Sequence, residues 1–577
     1  MGDRFSELIE WISSNKLWGL VISLIVLFTL GLAYYYEVER TETHLFRRVE
    51  YPLIDLRHRM MARPDQVEED IVVIGITEES IFRYSDELGR WPWPRRIMAY
   101  MFQYLSQADQ VLVDIGYWEP SKTEITPSQA LQMYQNMKAI RQRIVRQGRF
   151  PVNDYDRLMN WVRDFSENDD IMLARETAAT DVYHSLIFDF QTQASPSKRS
   201  LKEYRQLTSS YGYKISGREA FARAPTGTIP IPQLLETSAG FGHINFIPDP
   251  DGPARRFAPF LGFRDPPDTP GYFKRPYMPM LGLAGILPDP ASENIEVRGR
   301  TLYIGDEYQV PLDRDGNILI KYRGGSNIFK MIPIEDILKA PLELKEAEYS
   351  PDWFKDKKVL IGATASGLFD LRSTPFTAIE PGVNIHANIL DMFMKKDFLY
   401  PIRTIDVLIA AAVLTILVGV ITVFSGPIIA FVLTALISIL YFVIGLGLFQ
   451  HGYLVNLSLP LISAGTSYVL ATVYNLVFEK KKARQIRQAF EHYLTSSVME
   501  EILKDPDKLQ LGGERREITV MFGDIAGFTT FSEGRSATEV ARVINEILTR
   551  LTRCVFDYQG VLDKYIGDAL VAEFGII

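Results

Sequence analysis

VLIAAAVLTILVGVITVFSGPIIAFVLTALISILYFVIGLGLFQHGYLVNLSLPLISAGTSYVLATVYNLVF, residues 407–478, runs for about 72 positions without an Asp, Glu, Lys or Arg. A helix rises about 1.5 Å per residue, so about 20 residues cross a hydrocarbon core of roughly 30 Å, and this run accommodates three crossings. Ser425-Gly426-Pro427 and Gln450-His451-Gly452 divide it as turns, and Pro460 is placed to start or kink the last crossing. Leu17 to Tyr36 is a second uncharged run. It reads as a span rather than a cleaved leader, because Tyr34, Tyr35 and Tyr36 stand where small cleavage-site residues belong and instead suit a membrane interface.

Four crossings, one followed by three, put both ends of the chain on one side. Lys480, Lys481, Lys482, Arg484 and Arg487 directly after the last span mark that side as cytoplasmic, and Arg4 and Lys16 agree. Arg47, Arg48, Lys395, Lys396 and Arg403 on the other side go against the rule, but folded domains translocate largely regardless of charge. The expected order is a cytoplasmic N-terminus (1–16), a span (17–36), an exported domain (37–403), spans at 404–424, 427–449 and 455–478, a helical linker (479–513) and a cytoplasmic unit (514–577). The chain has 577 residues, too many for one core, and its net charge of −9 argues against a broad nucleic-acid surface. Its lone cysteine, Cys554, leaves the exported part without disulfides.

Within the exported part, Asp70-Ile71-Val72-Val73-Ile74-Gly75-Ile76, Val111-Leu112-Val113-Asp114-Ile115 and Lys358-Val359-Leu360-Ile361-Gly362 read as buried strands. A helix near 95–107 and a polar helical insertion around 120–170 alternate with them, which indicates an α/β sheet. Six landmarks, in order, are Asp55-Leu56-Arg57, Gly89-Arg90-Trp91-Pro92-Trp93-Pro94-Arg95, Val113-Asp114-Ile115, Asp249-Pro250-Asp251-Gly252-Pro253-Ala254-Arg255, Ile361-Gly362 through Asp370, and Pro381-Gly382-Val383-Asn384-Ile385-His386-Ala387-Asn388. Together they resemble the type-2 CHASE (CHASE2) sensory domain of bacterial cyclases and histidine kinases. The resemblance implies a sensor and names no stimulus. Trp91 and Trp93 read as packing in a turn, and His386, near Asp370, as a structural histidine rather than a metal ligand.

Beyond the spans, Ile486, Phe490, Tyr493, Leu494, Val498, Ile502 and Leu503 fall mostly three or four apart, which suits a helix pairing with its copy or lying on its own domain. Asp505-Pro506 ends that helix. Residues 516–522 read as a strand that delivers Asp524, followed by a turn at Gly527-Phe528-Thr529-Thr530. A helix from about Ala537 to Tyr558 carries Val540, Ile544, Ile547, Leu551 and Val555 on one face and stops at Gly560. Two strands, 561–566 and 569–574, join at Gly567-Asp568, a tight hairpin turn.

Asp524-Ile525-Ala526-Gly527-Phe528-Thr529 and, 44 residues after Asp524, Asp568 within Asp563-Lys564-Tyr565-Ile566-Gly567-Asp568 resemble the catalytic core of class III adenylyl and guanylyl cyclases. The resemblance implies a ferredoxin-like α/β domain, of which 514–577 is the N-terminal part, at the end of a multidomain bacterial plasma-membrane protein with an extracytoplasmic α/β sensor. It implies that Asp524, Asp568 and the carbonyl of Ile525 hold two Mg²⁺ or Mn²⁺ ions, and that amides near Phe528 and Thr529 receive phosphate oxygens. Lys564 would select the base: a lysine only donates hydrogen bonds, adenine N1 accepts one, and guanine N1 carries a hydrogen, so ATP is the expected substrate. Guanylyl cyclases usually carry an acidic residue there. The expected catalyst is a homodimer in which Lys564 and Asp568 serve different sites, with membrane lipid and an unidentified stimulus as further partners. Gly523 and Ala526 replace a small polar and a basic residue of many relatives, neither a metal ligand. The family's second base-selecting residue and its transition-state Asn and Arg have no counterpart up to Ile577, so the 577 residues themselves are expected not to turn over. A non-enzymatic sensory or dimerising receptor and a guanylate cyclase are the alternative readings.

Overall fold

A computed structural model describes residues 18–39, 45–121, 168–191, 197–217, 221–290, 294–343, 348–368, 370–490, 515 and 517–575. The expected insertion around 120–170 and the linker beyond 490 fall largely outside them. The chain divides into two compact units, Leu30–Ala412 with Leu436–Ile462, and the flanking helix segments with the C-terminal residues.

Three helices among the described residues are long and apolar enough to cross a membrane: α1 (Trp18–Glu39, the candidate span ending at Val38), α6 (Thr404–Phe424) and α7 (Pro427–Gln450). A further helix, α8, follows over Ser458–Phe490. Pro460 lies in its first turn, where a missing N–H costs nothing.

In the larger unit α1 is followed by α2 (Leu45–Met61), and the core is a seven-stranded sheet. Its strands are β1 (Ile71–Ile76), β2 (Gln110–Asp114), β3 (Val182–Asp189), β4 (Gly240–His243), β5 (Lys330–Pro333) and β6 (Lys358–Ala363), with Thr226–Thr228 antiparallel beside β3. The parallel order is β5-β1-β6-β2-β3-β4. Every residue of β1 is buried, as a parallel strand covered on both faces requires.

The two faces have different covers. Ile97, Met98, Met101 and Phe102 of α3 (Arg95–Tyr104), with Met172 and Leu173 of α4 (Asp169–Ala179), pack on Val72, Ile74, Val111, Val113, Val359 and Ile361. Val383, Ala387 and Leu390 of α5 (Gly382–Met394) pack on Val73, Leu112 and Leu360 of the opposite face. The other side of α5 presents Ile385, Ile389, Met392 and Phe393 to a core that includes the antiparallel strands Ile295–Arg298, Thr301–Ile304 and Tyr308–Pro311. α5 is therefore buried all round, and its polar residues must find partners inside. Asp391, fully buried, accepts from Arg323 at 2.7 Å and from the Glu68 N–H at 2.8 Å.

In the C-terminal segment β7 (Thr519–Gly523), β8 (Val561–Ile566) and β9 (Ala569–Phe574) form an antiparallel sheet in the order β7-β9-β8, with α9 (Ala537–Asp557) against it. The helix face in contact keeps Ile544 and Val555 of the expected one and takes Leu548 in place of Leu551. Leu548 and Val555 are buried, with Ile544 beside them on Leu562, Leu570 and Ala572, whereas Leu551 is exposed. The ridge Ile544, Leu548, Thr552, Val555 follows steps of four and three, and Thr552 holds it through a 2.7 Å hydrogen bond between its hydroxyl and that of Tyr565. Nor does Gly560 make the left-handed turn after the helix, which falls to Gln559 at φ 60°. Gly560 is needed for space, since a Cβ there would lie 2.5 Å from the Phe574 ring.

Candidate functional site

Asp524 directly follows β7, and Asp568 sits at the hairpin between β8 and β9. Gly523 pairs with Leu570 in antiparallel register, so Asp524 leaves the sheet level with Ala569, the residue after Asp568. The two carboxylates therefore share one end of the sheet. Gly567 supplies the positive φ, 61°, that the first position of a two-residue II′ turn requires. After Asp524 the chain turns through Gly527, φ 71°, into a short helix, Phe528–Ser532. The Ile525 carbonyl accepts from the Phe528 N–H at 3.2 Å and keeps a second lone pair.

This donor set fits a hard divalent cation. Mg²⁺ is commonly held by one or two carboxylates with substrate phosphates and water completing its shell. Among the described residues there is no group of three or more His, Cys, Asp or Glu side chains able to hold a metal, which leaves carbonyl and substrate oxygens to add to the two aspartates. Phe528 is half-buried and Thr529 exposed. Lys564 is exposed on β8, 3.4 Å from the Asp563 carboxylate. Asp563 drops out of the ladder between the pairs Leu562–Ala572 and Lys564–Val571. Lys564 stands two residues before the end of β8 and the chain reverses at Gly567-Asp568, so at about 3.3 Å per residue Lys564 lies roughly 7–10 Å along the strand from the turn that carries Asp568. The structure thus brings the two aspartates to one edge and leaves Lys564 away from it. Ile518, Val520, Met521, Phe522, Tyr565 and Ile566 are exposed, Phe522 to 73%.

In the larger unit, Asp55 and the 249–255 motif meet. Arg255, 1% exposed, donates to Asp55 at 2.7 and 2.8 Å, to Asp251 at 2.7 and 2.8 Å and to Asp249 at 3.1 Å. Trp93 is buried and Trp91 packs edge-on against it, ring centres 5.2 Å apart. His386 is fully buried in α5.

One feature was not foreseen. Glu50 and Arg57 on α2 form a buried ion pair; the Glu50 carboxylate also accepts from the N–H groups of Leu457 and Ser458 at 2.9 and 2.8 Å, and Arg57 donates to the Val455 carbonyl at 2.6 Å. The Glu50 anion satisfies N–H groups at the start of α8, where the helix dipole favours negative charge, and Arg57 satisfies a carbonyl of the segment just before it. Their seven-residue spacing, two helical turns on one face, was the available signal.

Residues 21–423 match the CHASE2 domain family. The chain belongs to the CHASE2 domain family. Behind its CHASE2 region, residues 513–577 match the adenylate and guanylate cyclase catalytic domain. The CHASE2 protein is 30% identical over 95 residues to a protein named adenylate cyclase from Anabaena cylindrica, 16% of this chain and 19% of that one. Over 58 residues it is 40% identical to adenylate cyclase 1 of Rhizobium meliloti, 10% and 9% of the two chains. An uncharacterized protein of Mycobacterium tuberculosis shares 32% over 103 residues, 18% of each. The match thus spans less than a fifth of each of these relatives. With its apolar helices and CHASE2 region, this is a membrane protein carrying cyclase catalytic sequence.

Proposed function

We propose that this CHASE2 protein is a transmembrane receptor adenylate cyclase, forming 3′,5′-cyclic AMP and pyrophosphate from ATP in a homodimer. The observation that carries the reading is the pair Asp524 and Asp568 at one end of a sheet within cyclase sequence. Asp524, Asp568 and the Ile525 carbonyl would hold two Mg²⁺ or Mn²⁺ ions. Bound there, these supply the positive charge that acidifies the ribose 3′-hydroxyl and neutralises the triphosphate. Amides near Phe528 and Thr529 take phosphate oxygens, and Lys564 donates to the adenine ring of the site whose aspartates come from the other protomer. The placement of Lys564 inside β8, away from the turn that carries Asp568, suits that division.

In this reading α8 is the fourth span, the sensor faces outward, and both chain ends are cytoplasmic. The Glu50–Arg57 clamp on the start of α8 links the sensor to the helix that leads toward the catalytic segment. Residues 513–577 act as the opening part of the domain. Their exposed apolar strand residues favour a second reading for this segment by itself, a dimerising module without turnover. A guanylate cyclase is the remaining alternative.

Lys564→Glu, in a protein carrying the whole catalytic domain, decides the base. Assayed with ATP and GTP separately, the unaltered protein is expected to cyclise ATP preferentially. The variant is expected to lose about 10- to 100-fold in kcat/KM for ATP, the effect of one mismatched polar contact of about 1–3 kcal/mol. Preference for GTP, or indifference to the substitution, would refute the assignment of Lys564.

A further inference from the structure

β2 ends on Asp114, level with Gly362 of β6. From β1 and β2 the chain passes to α3 and α4 on one face, and from β6 it passes to α5 on the other. Where neighbouring parallel strands send their connections to opposite faces, a crevice opens at their C-terminal ends, the usual place for a ligand in an open α/β sheet. Three side chains converge there. Asp114 is 3% exposed and His386 not at all, while Asp370, from the segment after β6, is 26% exposed and opens the cluster to water.

Asp114 and Asp370 are close neighbours, and two carboxyls brought together in a buried crevice disfavour joint ionisation, so the pair favours holding a proton. His386 Nδ1 accepts from the Gly282 N–H at 3.2 Å, so the ring proton is on Nε2. Nε2 faces Asp114 Oδ2 at 3.9 Å, and both atoms are buried without a hydrogen-bond partner. Arg372, 3.6 Å from Asp370, is the cation facing the pair. His243 of β4 is a further titratable neighbour of His386. Glu380, opposite Arg372 in the strand pair, is engaged by Ser326 and Asn384. Burial raises the affinity of both carboxyls for a proton, and burial holds His386 neutral down to about 3.

We propose that the Asp114–Asp370 pair is a proton-binding site through which the CHASE2 sensor reads the acidity of the solution around it. Protonated, the pair ties the segment after β6 to the end of β2. Deprotonated, two carboxylates face each other in a poorly hydrated crevice, and the idle Nε2–H of His386 becomes the donor for Asp114, which needs an approach of about 1 Å. Asp370 lies against the start of α5, within 3 Å of where a Gly382 Cβ would stand, so the exchange of partners acts on α5, which leads into α6.

The sign follows from linkage. A carboxyl whose proton affinity is raised by folding stabilises the fold fully at low pH, and that contribution fades as pH rises through the folded-state value. In the full chain in lipid nanodiscs, hydrogen exchange over 366–390, corrected for intrinsic rate, is expected to speed up as pH rises above the ordinary carboxylate range, by up to about tenfold per unit. Asp114→Asn and Asp370→Asn, each keeping a neutral hydrogen-bonding group, are expected to abolish that dependence. An unchanged pH course in the variants overturns the proposal. So does Asp114-dependent protection by Ca²⁺, Mg²⁺ or Zn²⁺ at constant pH, which would make the crevice a cation site. If neither variant folds, infrared spectra of the unaltered protein with ¹³C-labelled aspartate decide it: a buried carboxylic-acid band that titrates above the ordinary carboxylate range is required, and its absence ends the idea.

Discussion

Asp568→Ala, in a protein carrying the whole catalytic domain, is expected to lower kcat/KM for ATP by about a thousandfold or more, equivalent to about 4 kcal/mol of transition-state stabilisation. Among the described residues no third His, Cys, Asp or Glu joins the two aspartates in a metal-holding group, so either loss removes half of the anionic side-chain donors found there. Asp568 is half-buried at a turn whose positive φ belongs to Gly567, so the substitution should leave folding within about 0.5 kcal/mol of the original. Activity and stability are thus separable, and circular dichroism of the variant should match the parent. Asp524→Ala should behave alike, and the double variant should be little worse than either alone, because the residues act as one unit. An Asp568→Ala enzyme within about tenfold of the parent would remove this aspartate from the proposed chemistry.

Arg57→Ala carries the largest expected effect on stability, about 3–5 kcal/mol lost. Arg57 is completely buried, and its removal strips the Glu50 carboxylate of its counter-charge and leaves the Val455 carbonyl without its donor. Glu50 keeps the N–H groups of Leu457 and Ser458, which soften the loss without replacing a full charge. Replacing both partners, Glu50→Gln with Arg57→Met, should recover much of the stability, since a pair removed together leaves no isolated buried charge. Thermal unfolding of the purified protein in detergent, for the parent, the single and the double variant, checks both parts. Equal stability of all three would mean that the clamp contributes nothing.

How much of this was legible beforehand depends on how far apart in sequence the cooperating residues lie. The hairpin at Gly567-Asp568 is local, and neighbouring strands with a positive-φ glycine between them declare themselves. The face of α9 is only half local: a 3.6-residue period admits two adjacent stripes, and contact with Leu562, Leu570 and Ala572 selected the one through Leu548 over the one through Leu551. The sensor landmarks could be recognised as a set without any indication that Arg255 would sit among Asp55, Asp249 and Asp251.

By itself the sequence determined the apolar runs, the buried strands such as Ile71–Ile76 and the order of the motifs, because each is set by hydropathy and turn chemistry within some twenty residues. Only the tertiary structure decided that Glu50 meets Leu457, that β6 enters the sheet between β1 and β2, and that Asp114 faces Asp370 and His386. Those contacts join positions hundreds of residues apart, and strand order in a parallel sheet is fixed by which faces must be covered, a property of the packed chain that no local pattern contains.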